Sequence, residues 1–147
     1  MIDLDTTLTG SYSLSAIPSA YNVQTSTGGT ATVTVTVTNT GLSPVTSVKL
    51  SVSPPSSTWS ASSSPITVQS LEAGASTSFI VEIAAPSDAV AGDYLASITA
   101  TSDQVSSSAI AERVTLSAST AWVWIGVAIA AVAVALMVFV FRKFGRR

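Results

Sequence analysis

Residues Thr30–Thr40 read TATVTVTVTNT, and the order of those side chains decides the fold. Val33, Val35 and Val37 alternate with Thr32, Thr34, Thr36 and Thr38. An extended chain repeats every two residues, so this stretch carries methyl groups on one face and hydroxyls on the other. β-Branched side chains favour extended backbone over helix. The stretch is a half-buried strand, and Asn39-Thr40-Gly41 supplies the turn chemistry that ends it.

The same period recurs on either side. Val45–Val52 places Val48, Leu50 and Val52 on one face, Ser76–Ala84 has Phe79, Val81 and Ile83 in step, and Tyr94–Ala100 repeats Tyr94, Ala96, Ile98 and Ala100. Shorter strands are expected at Thr58–Ala61, around Trp59, and at Pro65–Leu71, with Ile66 and Val68; Ile110–Leu116 closes the set. Ser11–Ile17 and Tyr21–Ser26 read as one edge strand interrupted at Pro18. Seven or eight short strands separated by Gly, Pro and Ser turns predict an antiparallel β-sandwich. No stretch before residue 121 has a helical period, so the class is all-β up to that point.

Beyond it the chemistry changes. Trp122–Phe141 reads WVWIGVAIAAVAVALMVFVF, without a charge or a proline. Twenty helical residues span roughly 30 Å, the thickness of a bilayer's hydrocarbon layer, so the stretch predicts a transmembrane α-helix. Trp122 and Trp124 suit one membrane interface, and the cations of FRKFGRR, beginning with Arg142 and Lys143, suit the other. Gly126, Ala130 and Ala133 recur at one helical face, either as a small-residue surface for a second helix or as residues that a membrane helix tolerates. The basic end predicts a cytoplasmic C-terminus, with the N-terminal part outside the cell membrane. The expected domains are a lead-in at 1–19 with a possible edge strand, a sandwich at 20–118, a short tether at 119–121, the helix at 122–141 and a basic tail at 142–147. MIDLD lacks the apolar core of a secretion signal, which favours a C-terminal piece of a longer secreted protein.

Composition sets limits on chemistry. Ser and Thr supply 45 of the 147 residues, all at or before Thr120, and the chain contains no His and no Cys. That excludes Ser-His-Asp and Cys-His catalysis, a Cys/His zinc site, an iron–sulfur cluster and disulfides. Residues 1–121 hold eight acids against Lys49 and Arg113 alone, a net −6, whereas the tail holds +4. An acidic body repels phosphate, so nucleic acid is not an expected partner. The composition argues against an enzyme, and no cofactor is implied.

Few residues invite a specific role. Trp59 follows Pro54-Pro55, and reads either as a ring stacking on sugar or as a packing residue at one end of the sandwich. Tyr94 follows Gly92-Asp93 and resembles a tyrosine corner, whose hydroxyl bonds a nearby backbone group. Asp88 and Asp93 are too few for a Ca²⁺ shell and read as solvated turn acids. Glu72 and Glu82 fall in a turn and on an outward strand position, which disfavours a glycosidase pair. Gly28-Gly29 precedes a strand, so it is no phosphate cradle. Asn22 and Asn39 are not N-glycosylation sites, while Ser60–Ser64 and Ser106–Ser108 offer hydroxyls for O-glycans.

The succession GGTATVTVTVTNTG (Gly28–Gly41), TSVKLSVSPPSSTW (Thr46–Trp59), ITVQSLEAGASTSFIVEIAAP (Ile66–Pro86) and AGDY (Ala91–Tyr94) resembles the galactosidase-associated immunoglobulin-like domain family over about residues 20–118. The helix and basic tail are similar to its membrane-anchored members. The resemblance implies an immunoglobulin-like sandwich, structural roles for Gly41, Gly92 and Tyr94, and no catalytic residues. The leading expectation is a non-catalytic single-pass protein whose partners are the lipid bilayer and a protein partner or upstream module. Two alternatives stay open: a carbohydrate-binding module at the surface, and an accessory subunit of a membrane transporter.

Overall fold

The computed structural model describes residues 10–118 and 121–145. Among the described residues nine strands precede one helix: β1 (Leu14–Pro18), β2 (Asn22–Ser26), β3 (Thr30–Asn39), β4 (Val45–Ser53), β5 (Ser60–Ser64), β6 (Val68–Leu71), β7 (Ser76–Ala84), β8 (Gly92–Thr101), β9 (Ile110–Ser117) and α1 (Ala121–Phe144). They form two sheets, one ordered β1-β3-β7-β5 and the other β2-β9-β8-β4-β6. The sandwich and α1 are separate compact units that divide between Ser117 and Ala118.

The alternation at Thr30–Thr40 is realised in β3. Ala31, Val33, Val35 and Val37 are buried, and Thr32, Thr34 and Thr36 face water. Across the β3–β7 ladder Val33 meets Val81 and Val35 meets Phe79, all buried. The second sheet supplies Val48, Ile98, Val114 and Leu116. Each fully buried side chain of this size contributes about 1.5–3 kcal/mol, which offsets much of the ordering entropy without a disulfide.

Several expectations need correction. The sandwich is not wholly antiparallel, because β2 runs parallel to β9. The cause is Pro18: β1 pairs with β3 as far as Pro18, Ser19 donates one last bond to the Thr34 carbonyl (2.7 Å), and the chain then crosses to the other sheet. The interrupted edge strand is thus two strands in two sheets. Leu14 in β1 is buried in the core, so the sandwich begins before residue 20. The strand expected at Thr58–Ala61 starts at Ser60, beyond Trp59, and the one expected from Pro65 starts at Val68, leaving Ile66 81% exposed. β5 reads SASSS and has no apolar period of its own; pairing with β7 makes it a strand.

β4 carries one irregularity. Val45 and Val48 are both buried although an odd spacing should put them on opposite faces. Ser47, at φ 55°, stands between them in a left-handed conformation, and the ladder to β6 is interrupted at Ser47 and Gln69 while its register stays the same on either side. Two turns use glycine at positive φ: Gly28 (74°) and Gly74 (76°) each stand third in a turn closed by Gly29 to Ser26 (2.8 Å) and Ala75 to Glu72 (3.0 Å). A type II turn requires that conformation at its third position.

α1 has 24 residues, longer than the apolar run at both ends. Charge ends that run but not the helix, since Arg142 and Lys143 are good helix formers and their charges suit a helix C-terminus. Residues 1–9 of the expected lead-in, 119–120 of the tether and 146–147 of the tail lie outside the described residues.

Candidate functional site

Asn39 ends β3 with a side chain that is 0% exposed. Its amide nitrogen donates to the carbonyls of Ser43 (2.8 Å) and Leu71 (3.0 Å), and its oxygen accepts from the Gly41 amide (3.0 Å). The turn that follows lies against the chain before β1: Thr40 donates to Ser13 (2.9 Å) and Leu42 to Ser11 (2.9 Å). Gly41 sits in this contact, where an added Cβ would collide with the Ser11 carbonyl oxygen and stand 2.8 Å from the Ser13 nitrogen. The NTG sequence therefore ties together β3, the end of β6 and the segment before β1. Gly92 differs, because it lies in open space and an added Cβ would meet nothing within 4 Å. Its expected structural role has no steric basis.

Trp59 is 5% exposed and packs on the ring of Tyr94, centroids 4.8 Å apart and planes tilted by 49°. The Tyr94 hydroxyl donates to the Val90 carbonyl at 2.7 Å. Four residues separate that pair, so one side chain braces the loop that delivers β8. Trp59 offers no open face for a sugar ring. The other aromatic side chains of the sandwich divide: Phe79 is fully buried, while Tyr12 (48%) and Tyr21 (63%) are exposed.

The outward faces are hydroxylic. Thr32, Thr34 and Thr36 of β3 stand in register with Glu82, Ile80 and Ser78 of β7, and Ser62 and Ser64 of β5 extend the rows. On the second sheet, the Thr115 hydroxyl lies 3.1 Å from the Asn22 side-chain oxygen and 2.8 Å from an Asp93 carboxylate oxygen. Arg113 stands 3.9 Å from Asp93, with both side chains 57% exposed, and Leu95 is opposite Arg113 in register. Glu72, Glu82 and Asp88 all face solvent. Among the described residues no three acidic side chains come together as a metal site.

One carboxyl behaves differently. Glu112 is 0% exposed on the inner face of β9 between Ile110 and Val114, and neither of its oxygens has a hydrogen-bond partner. Burial pushes its ionisation up from 4.5 to about 7. The signal is present in IAERVTL: two-residue parity puts Glu112 on the face of Val114 and Leu116. Counting it only among the eight acids of residues 1–121 passes over this.

In α1 the side chains of Trp124, Gly126, Ala130 and Ala133 are exposed, the last three at one helical face. The Lys143 ammonium lies 5.8 Å from the centre of the Phe139 ring. The Trp122 side chain and residues Arg146 and Arg147 are outside the described residues.

Comparison with curated proteins gives no match. Among solved structures, the chain is similar to a FixG-related protein from Vibrio parahaemolyticus, with TM-score 0.52, 14% identity, and coverage of 71% of this chain and 95% of that one. A family 123 glycoside hydrolase from Clostridium perfringens matches with TM-score 0.49, 15% identity, and coverage of 71% and 27%. Domains 4 and 5 of the S-layer protein SbsC give 0.47, 16%, 73% and 53%. The chain thus spans about a quarter of that hydrolase and about half of that S-layer fragment. At 14% identity the likeness to the FixG-related protein is one of fold alone. The family described as NPCBM-associated, NEW3 domain of alpha-galactosidase matches residues 25–102, from β2 to the end of β8, and the chain belongs to that family.

Proposed function

We propose that this is a non-catalytic single-pass membrane protein whose β-sandwich serves outside the cell as a structural or docking module. The observation that carries the reading is α1. Val123–Phe144 is long and apolar enough to cross a bilayer, and none of its most apolar stretch is buried against protein. Such a surface is costly in water and needs no cover in lipid. Arg142 and Lys143 at its end support a cytoplasmic C-terminus. The hydroxylic faces of the sandwich and its acid excess support a wet exterior. Trp122 and Trp124 would then sit at the outer interface, and Gly126, Ala130 and Ala133 would give a second helix a close approach.

The test is alkaline carbonate extraction with protease treatment of intact cells. The expected result is a protein retained in membranes, with the sandwich digested from outside and the basic end protected. A full-length chain that is monodisperse in buffer without detergent overturns the proposal.

A carbohydrate-binding role is the second reading. Tyr21 favours it: the ring is exposed and directly precedes Asn22, which joins the network with Thr115 and Asp93. The family's description as a domain of alpha-galactosidase supports a sugar-rich setting. Calorimetric titration with soluble oligosaccharides, with Tyr21→Ala as the comparison, tests it; no heat from either protein removes it.

A further inference from the structure

β1 and β2 are consecutive in the chain, yet each is an edge strand of a different sheet. Leu14–Ser26 therefore runs as a strap along one side of the sandwich, with β1 approaching β8 and β2 approaching β3 across the interlayer space. β9 lies just inside β2. In their parallel register Asn22 stands beside Arg113, so Glu112 falls level with Tyr21, one residue before pairing begins. The Arg113 amide donates to the Tyr21 carbonyl at 3.1 Å. The buried, unpartnered carboxyl of Glu112 thus lies where the strap changes sheets.

No described cation compensates it. β1, β2 and β3 contain no ionisable side chain. On β8, Tyr94 is the inward titratable group, and its hydroxyl is committed to Val90. Arg113 and Asp93 pair on the outer surface; Lys49 of β4, Glu82 of β7, Glu72 of the β6–β7 turn, and Asp88, Asp103, Tyr12 and Tyr21 are all exposed. A charge formed at Glu112 has one remedy, which is water.

We propose that Glu112 is a proton-operated latch beneath the strap: protonated, it leaves β2 closed on β9, and ionised, it drives β2 off and admits water. β2 is the element that yields because it is the weakest neighbour. It has five residues, one pairing partner and no fully buried side chain. The opposite flank of β9 is β8, which is paired through Gly92–Ile98 and backed in turn by β4. Desolvation sets the operating range, between the ordinary 4.5 and about 7. Within it the opening equilibrium rises about tenfold per pH unit, and above it the equilibrium is constant. An open strap leaves β9 with an unpaired edge.

The experiment is hydrogen–deuterium exchange on the full chain in detergent micelles at pH 5 and pH 7, corrected for intrinsic exchange rates. Amides of β2 should lose up to about a hundredfold protection between the two, while β3 and β7 keep theirs; in Glu112→Gln the β2 protection should not change. Equal β2 protection at both pH values overturns the latch, as does the same loss in the Gln variant. Should that variant not fold, carboxyl-¹³C labelling reads the wild type directly, since Glu72, Glu82 and Glu112 are its only glutamates. One resonance titrating near neutrality, in step with β2 exchange, supports the latch. Three ordinary titrations, or a neutral one with β2 unmoved, overturn it.

Discussion

Replacing Asn39 by Ala should cost the sandwich about 3 kcal/mol. The side chain makes three hydrogen bonds, to Ser43, Leu71 and Gly41, at 2.8–3.0 Å, and none of its surface is exposed. Each such bond contributes about 1 kcal/mol net, and a buried carbonyl left without its donor adds to the loss. Gly41 is partly spared, because its amide also reaches Ser13 at 3.2 Å. For a domain of this size the loss lowers Tm by roughly 10 °C or more. Asn39→Asp should be worse at neutral pH than in mild acid. It keeps the acceptor for Gly41 but turns a second oxygen towards two carbonyls, and burial raises its ionisation, so stability falls as pH rises. Thr40→Ala is the comparison, since it removes only the exposed hydroxyl contact with Ser13 (2.8 Å) and should cost under about 0.5 kcal/mol. The assay is urea unfolding of the full chain in micelles, in a Trp122→Phe/Trp124→Phe background that leaves Trp59 as the sole indole reporter. An Asn39→Ala midpoint within error of the parent refutes the view that this side chain holds the turn.

Four further outcomes follow from the same structure. Phe79→Ala, at a fully buried position, should cost about 3–5 kcal/mol in the same urea assay. Tyr94→Phe keeps the ring on Trp59 but frees the Val90 carbonyl, for a loss of about 1 kcal/mol with little change in Trp59 emission. Gly41→Ala should destabilise strongly through its clash with the Ser11 and Ser13 backbone, whereas Gly92→Ala should be nearly neutral; melting curves of the pair separate contact from sequence habit. The raised ionisation of Glu112 means that its protonated form favours the fold. Stability should be fullest below about pH 4.5, fall by about 3 kcal/mol up to about pH 7 and stay level above, with Glu112→Gln flattening that part of the profile.

How much of this was legible depended on whether a residue's neighbours in space were also its neighbours in sequence. β3, β7 and β9 carry their own two-residue period, so their inner faces can be read from the chain alone. β5 cannot, because SASSS is extended only by virtue of β7 beside it. The left-handed turn of the backbone at Ser47 was equally silent: nothing in VTSV says where β4 will leave its two-residue period until Val45 and Val48 are both required inside. Parallel pairing of β2 with β9 joins residues some ninety positions apart, and Pro18 marks the break without saying where the chain goes next.

The functional residues divide along the same line. Tyr94 acts on backbone within its own turn, so the local motif GDY was enough to single it out; NTG marked Gly41, although the backbone that Gly41 approaches, at Ser11 and Ser13, lies some thirty positions earlier. Gly92 belongs to the same GDY motif, yet a side chain added there would meet nothing, so the motif does not mark a steric requirement at every position. Trp59 needed three dimensions, since the choice between a buried ring and a sugar platform depends on Tyr94, 35 positions later. Glu112 is the instructive failure. Charge suggested the surface and parity suggested the core; parity prevailed because β9 has to carry Ile110, Val114 and Leu116 inward, and a strand cannot turn one residue out of phase without a bulge. Its carboxyl therefore remains in the core at a cost in stability, and the residue worth testing is the one at which these two rules conflict.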